Sequence, residues 1–142
     1  MKISGTQSVA LPRDRTYALL QDPVVLAQCM PGTDALEKIG EDEYRMKMKM
    51  TLASMAGLFE GRVKIADAHP PESFRLLVEG AGKIGFMKGS GLLKLTESAT
   101  GTDVNYDGEV EVGGTLAAVG QRLVDTTARM LIRKFFERLG NL

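Results

Sequence analysis

One histidine and one cysteine, His69 and Cys29, hold most of the metal-binding and nucleophilic chemistry open to this chain. A zinc site of the usual kind needs three or four Cys, His or carboxylate ligands with suitable spacing, and one residue of each type does not supply it. His69 stands in Asp67-Ala68-His69-Pro70-Pro71, a turn sequence between two apolar alternations, so it reads as a surface residue. Cys29 follows the apolar stretch Val24-Val25-Leu26 and precedes Met30-Pro31-Gly32, a setting for a small buried thiol. A Cys–His dyad would need the fold to bring the two together, and spacing does not show that. The run Gly80-Ala81-Gly82-Lys83-Ile84-Gly85 has glycines and a lysine as a phosphate loop does. However, Lys83 is followed by Ile84, where a Walker loop needs Ser or Thr, and more strand follows, where a dinucleotide site needs a helix. Its glycines read as hairpin and bend residues.

The strongest pattern is apolar. From Tyr44 to Leu52, Tyr44, Met46, Met48, Met50 and Leu52 alternate with Arg45, Lys47, Lys49 and Thr51. Period-two alternation marks a strand with one dry face and one wet face. Methionine is unbranched and polarizable, and it fills irregular space or lines a surface that must adapt. Two readings therefore stand side by side: core packing, and a ligand cavity walled by flexible thioethers. Arg45, Lys47, Lys49 and Lys88 read as a solvated face.

The elements that must position this strand follow from the rest of the chain. Ile3 to Leu11 reads as a first strand, Pro12 opens a short helix through Tyr17, Leu19 and Leu20, and a second short helix runs from Pro23 to Cys29. Strands are predicted at Ala35–Ile39, Glu43–Leu52, Phe59–Asp67, Ser73–Glu79, Gly89–Leu95 and Val104–Val112, with a glycine-rich link from Gly80 to Gly91. After Gly113-Gly114 the period changes to 3.6, which predicts one long helix from Leu116 to Leu139, capped by Thr115 and stopped by Gly140. That helix would have about 24 residues and span about 36 Å. Strands without helical crossovers pair antiparallel, and a sheet with one dry face needs a cover. The expected fold is α+β: a curved antiparallel sheet gripping a long C-terminal helix, as one domain over residues 1–142. The expected cavity lining is Met46, Met48, Met50, Leu76, Val78, Leu93 and Tyr106 from the sheet. Val119, Leu123, Met130 and Phe135 face them from the helix.

Composition sets the bounds. Eighteen basic and eighteen acidic residues cancel among 142, so total charge gives no nucleic-acid footprint. A single cysteine allows no internal disulfide, as in a reducing compartment. Met1 to Leu11 has no apolar core of a signal peptide, and no run of about 18 apolar residues would span a membrane. The sixteen glycines fit a bent sheet.

Several segments resemble the CoxG family of carbon monoxide dehydrogenase subunits. They are Val9-Ala10-Leu11-Pro12-Arg13 leading to Leu20-Gln21-Asp22-Pro23, Leu26-Ala27-Gln28-Cys29-Met30-Pro31-Gly32, Phe59-Glu60-Gly61-Arg62-Val63, and Val112-Gly113-Gly114-Thr115-Leu116-Ala117-Ala118-Val119-Gly120-Gln121-Arg122-Leu123. The resemblance covers essentially the whole chain. It implies the START-like (SRPBCC) helix-grip fold, a seven-stranded antiparallel sheet around the C-terminal helix with an apolar cavity between them. It also implies an accessory role beside a molybdenum carbon monoxide dehydrogenase, whose metal-bearing subunits perform the oxidation. Family members often continue into a tail that anchors them to membrane, and this sequence stops at Leu142 without one.

The expected function is therefore non-catalytic, with no metal and no resident cofactor. It is to bind an apolar molecule, quinone or lipid-like, and to carry quinone between the dehydrogenase and the inner face of the cell membrane from the cytoplasm. Two other readings remain open: an assembly or recruitment factor that needs no ligand, and an enzyme of START-like type using a buried ionisable group.

Overall fold

The computed structural model describes residues 1–142 except 53–54, and for residue 52 the backbone alone. The chain order is β1 (Lys2–Val9), α1 (Arg13–Leu20), α2 (Pro23–Cys29), β2 (Glu37–Gly40), β3 (Glu43–Leu52), β4 (Met55–His69), β5 (Ser73–Gly82), β6 (Gly85–Ser98) and β7 (Gly101–Gly113). A short 3₁₀ turn (Gly114–Val119) and α3 (Gln121–Gly140) follow. All seven strands form one sheet in the order β1-β7-β6-β5-β4-β3-β2. Every pair is antiparallel. The fold is the expected α+β arrangement, with the two short helices after the first strand.

Local chemistry explains the boundaries. Pro12 precedes α1 and Pro23 opens α2, where a missing N–H costs nothing. Asp22 caps α2 by accepting the Val24 N–H at 2.9 Å. The alternation read in β3 is the register observed: Met46 and Met48 are buried while Lys47 and Lys49 are exposed.

Two features differ from the sequence reading. The glycine-rich link between Gly80 and Gly91 is mostly strand: β5 runs through Gly82, β6 begins at Gly85, and Gly82 pairs with Gly85. Gly85, at φ +134°, takes the left-handed conformation that this tight reversal needs. The long helix is also interrupted. The 3₁₀ turn ends at Gly120, whose φ of +92° no helix accommodates, and α3 starts afresh at Gln121. Thr115 therefore caps nothing, and α3 has 20 residues, about 30 Å at 1.5 Å per residue. Gly140 lies inside the last turn, and the helix ends on Asn141, whose amide donates to the Glu137 carbonyl at 2.9 Å.

Buried apolar side chains fall into two clusters. One joins α1, α2 and the C-terminal half of α3 to the sheet, through Tyr17, Leu20, Phe74, Leu95, Phe136 and Leu139. The other joins Phe59, Leu116 and Val124 at the opposite end. Tyr17 meets the Phe74 ring edge-on at 5.6 Å and donates its hydroxyl to the Ser73 carbonyl at 2.9 Å. Removing the Phe74 or Phe59 ring from water contributes about 1.5–3 kcal/mol each. Among the described residues, no helix is long and apolar enough to cross a membrane.

Candidate ligand-binding site

The inner face of the sheet, between the two clusters, is the region to which the expected lining residues belong. Antiparallel partners point to the same face, so the register aligns Met46 with Gly61, Gly61 with Gly80, and Met48 with Phe59. It likewise aligns Val78 with Gly89, Leu93 with Tyr106, and Leu76 with Gly91. Met46 and Met48 are buried, at 4% and 5% exposure. Val78, Tyr106 and Met130 are half-buried and belong to neither cluster. The remaining expected residues serve the clusters. Leu76, Leu93 and Phe135 pack with the first, and Met50, Val119 and Leu123 pack with the second.

Small residues lie in the middle of both α3 and the sheet. Along α3, Val124 and Phe135 are buried, and Thr127, Ala128 and Leu131 continue the same stripe between them but are only half-buried. Opposite them the sheet presents glycines. A Cβ at Gly80 would meet Phe59 at 3.6 Å and the Met46 methyl at 3.9 Å. One at Gly89 would come within 3.6 Å of the Glu109 carbonyl oxygen, and one at Gly91 within 3.4 Å of that of Asp107. These are ordinary contacts, and none of the three glycines has a positive φ. The backbone does not require glycine at these positions. Gly61 and Gly108 are different, because a Cβ there would overlap the Glu79 and Ser90 carbonyl oxygens. They mark where the sheet bends too tightly for a side chain.

One side of this region has a polar rim. Arg129 donates to the Asp125 carboxylate at 3.0 Å and to the Ser4 carbonyl at 2.9 Å, tying α3 to β1. The Asp125 hydrogen bond and charge hold the Arg129 guanidinium above its ordinary range, and the Tyr106 hydroxyl lies beside it. The ring of Tyr106 covers Gly5, so its hydroxyl reaches the β1–α3 seam.

The residues with chemistry of their own lie elsewhere. His69 is exposed at the end of β4. Cys29 is fully buried in the first cluster as a free thiol. Among the described residues, no three His, Cys, Asp or Glu side chains gather as a metal set. Burial pushes the Cys29 thiol and the Tyr17 phenol up. Their folded-state pKa values then exceed the unfolded ones. Their contribution to stability is full below the unfolded values and is lost as pH rises through the folded ones. Stability should therefore fall above about pH 8.5–10, the ordinary thiol and phenol range, and denaturation midpoints measured from pH 7 to pH 11 check this. Cys29 should resist maleimide in the folded protein and react at once in denaturant; prompt labelling of the native protein would contradict its burial.

Two hollows open on the outer face of the sheet. The larger, about 580 Å³, is walled by Glu43, Arg62, Lys64, Glu79, Lys88 and Glu111. Arg62 sits there between Glu43 at 3.5 Å and Glu79 at 3.3 Å. Charged, exposed walls keep water and do not favour an apolar guest. Neither hollow lies between sheet and helix. On the inner face, the buried Met46 and Met48 have side chains that adapt readily to a guest.

The family model for the carbon monoxide dehydrogenase subunit CoxG matches residues 5–141. The chain belongs to this family. A solved structure, a conserved protein from Geobacillus kaustophilus, is 32% identical with a TM-score of 0.94, over 99% of this chain and 93% of that one. The Zhui aromatase/cyclase from Streptomyces sp. R1128 shares the fold at 14% identity and a TM-score of 0.66, over 99% and 92% of the two chains. Protein Ms6760 from Mycobacterium smegmatis does so at 16% identity and a TM-score of 0.69, over 99% and 88%. No curated protein matches the chain significantly.

For this CoxG-family chain, the residues that sequence reasoning missed are Gly80, Gly89, Gly91 and Ala128. A usable signal was present. Gly89 and Gly91 share the parity of Leu93 and Leu95, and Gly80 shares that of Val78, so all three had to face inward once the strands were extended. The sequence reading places Gly80 in the link only, and Gly89 and Gly91, though within the predicted strand Gly89–Leu95, have no side chain to count as lining.

Proposed function

We propose that this chain is a non-catalytic accessory protein that holds an apolar small molecule, of quinone or lipid type, between the inner face of the sheet and α3. In that role it would serve a molybdenum carbon monoxide dehydrogenase and carry quinone between that enzyme and the inner face of the membrane. The observation that supports the reading best is the half-exposed, small-residue middle of the inner face, flanked by pliable Met46 and Met48. Family membership supplies the enzyme. Electrons leaving a soluble dehydrogenase must reach a membrane-dissolved quinone, and a quinone carried out of the membrane needs an apolar shelter on the way. An apolar guest gains about 25 cal/mol per Å² removed from water, set against several kcal/mol for lost freedom on association.

Titration of delipidated protein with short-chain menaquinone and ubiquinone analogues, read by calorimetry, tests the reading. Saturable binding that survives His69→Ala is the expected result; no uptake of either analogue would overturn it. A second reading, docking to the dehydrogenase without a ligand, draws on exposed Leu58 and Phe86, which stand on the outer face at 47% and 43% exposure. It becomes the better account if the analogues fail and the Leu58→Ser, Phe86→Ser variant loses the enzyme.

A further inference from the structure

We infer that Gly80, Gly89 and Gly91 are the specificity-determining residues of the inner site. Their missing side chains leave a bare backbone floor that admits a flat ring system in preference to a flexible chain. The inference rests on the apolar-ligand reading above and goes beyond it in naming the shape that is selected. Three points support it.

The first is that nothing in the backbone demands these glycines. None has a positive φ, and a methyl at each would meet its neighbours at 3.4 Å or more. Glycine in a strand interior weakens the strand, so three without a conformational reason point to the space they leave. The second is that the three lie near one another on two paired strands, Gly80 diagonal to Gly89 and directly opposite Met87. Gly89 and Gly91 are alternate residues of β6, and they pair with Val78 and Leu76 of β5, two and four residues before Gly80. A surface of peptide planes without Cβ atoms is flat, and a planar ring makes close contact with it over its whole face. The third is that the opposing part of α3 is also low, with Ala128 and Thr127 between the buried Val124 and Phe135. Met46 and Phe59 bound the floor at Gly80, and Val110 bounds it at Gly89. The shape left is a slot along the inner face from which α3 stands off: a Cβ at Gly89 would have only Glu109 and Val110 within 4 Å.

The test uses N-phenyl-1-naphthylamine, a neutral flat dye that brightens in apolar surroundings, with displacement by 2-methylnaphthalene and by 1-dodecanol. The wild-type chain should bind the dye and release it to the naphthalene at lower concentration than to the alcohol. Single and combined Gly80→Ala, Gly89→Ala and Gly91→Ala variants should melt at or above the wild-type temperature. Overfilling the slot by one methyl should weaken dye binding about tenfold, and three methyls more. Gly108→Ala, whose Cβ would overlap the Ser90 carbonyl oxygen, should instead lower the melting temperature. Alanine variants that fold and bind the dye like wild type would overturn the inference and leave the apolar-ligand reading standing. Equal displacement by the alcohol would overturn the preference for a flat ring. A wild-type chain that takes up neither the dye nor the quinone analogues would remove the apolar-ligand reading itself.

Discussion

Gly61→Ala should abolish cooperative folding. A Cβ at Gly61 would overlap the Glu79 carbonyl oxygen of β5 and reach within 2.6 Å of the Gly80 Cα. The obstacle is backbone, so no rotamer change relieves it. Gly61 pairs directly with Gly80, in the middle of the sheet, between β3 and β5. Accepting the methyl means opening the β4–β5 ladder where the two strands approach too closely for a side chain, and Phe59, fully buried two residues away, loses its seat. The cost should exceed about 4 kcal/mol, in the exceptional range for a single methyl. Urea unfolding followed by circular dichroism, or recovery in the soluble fraction if no folded protein remains, measures it. A midpoint equal to wild type would mean that β4 and β5 stand further apart than the structure places them.

Met48→Glu should cost at least about 3 kcal/mol at neutral pH, because an unpaired carboxylate is expensive away from water. Met48 is 5% exposed and faces the same side as its partner Phe59, which is fully buried. The same substitution should abolish uptake of any apolar guest. Burial would raise the folded-state pKa of the new carboxyl above its unfolded value. The destabilisation should then be full above the raised folded-state value, shrink as pH falls from there toward the unfolded value of about 4.3, and be gone below it. Met48→Leu, which nearly conserves volume, should cost less than about 1.5 kcal/mol. A Met48→Glu protein with wild-type stability at pH 7 would place that side chain in water and reverse the face of β3.

The legibility of these elements in the sequence follows their physics. β3 was readable because charged and apolar residues alternate strictly from Arg45 to Thr51, and a slip of one residue would put Lys47 and Lys49 in the core. α2 was readable because Asp22 and Pro23 are a cap and an N1 residue in immediate succession. The break in the C-terminal helix was less visible. Its apolar period runs on through Gly120, and only the left-handed φ of that residue ends one helix and begins the next. The extent of β5 and β6 was missed for a related reason. Gly80, Gly82, Gly85, Gly89 and Gly91 carry no side chain to show alternation, so the pattern fades while the strand continues. For the candidate site, the shared inner face of Met46, Met48, Val78 and Tyr106 was legible from parity alone. Parity also turns Gly80, Gly89 and Gly91 inward, but their proximity across β5 and β6 required the register between strands, which sequence spacing does not contain.

Whether an apolar guest sits between the inner face and α3 is decided by native mass spectrometry of the chain purified without detergent. The spectrum is recorded before and after organic extraction, then again after incubation with a short-chain menaquinone analogue. The expected result is a one-to-one adduct that extraction removes and the analogue restores, and that Met48→Glu fails to form. A bare protein mass under all three conditions would contradict it.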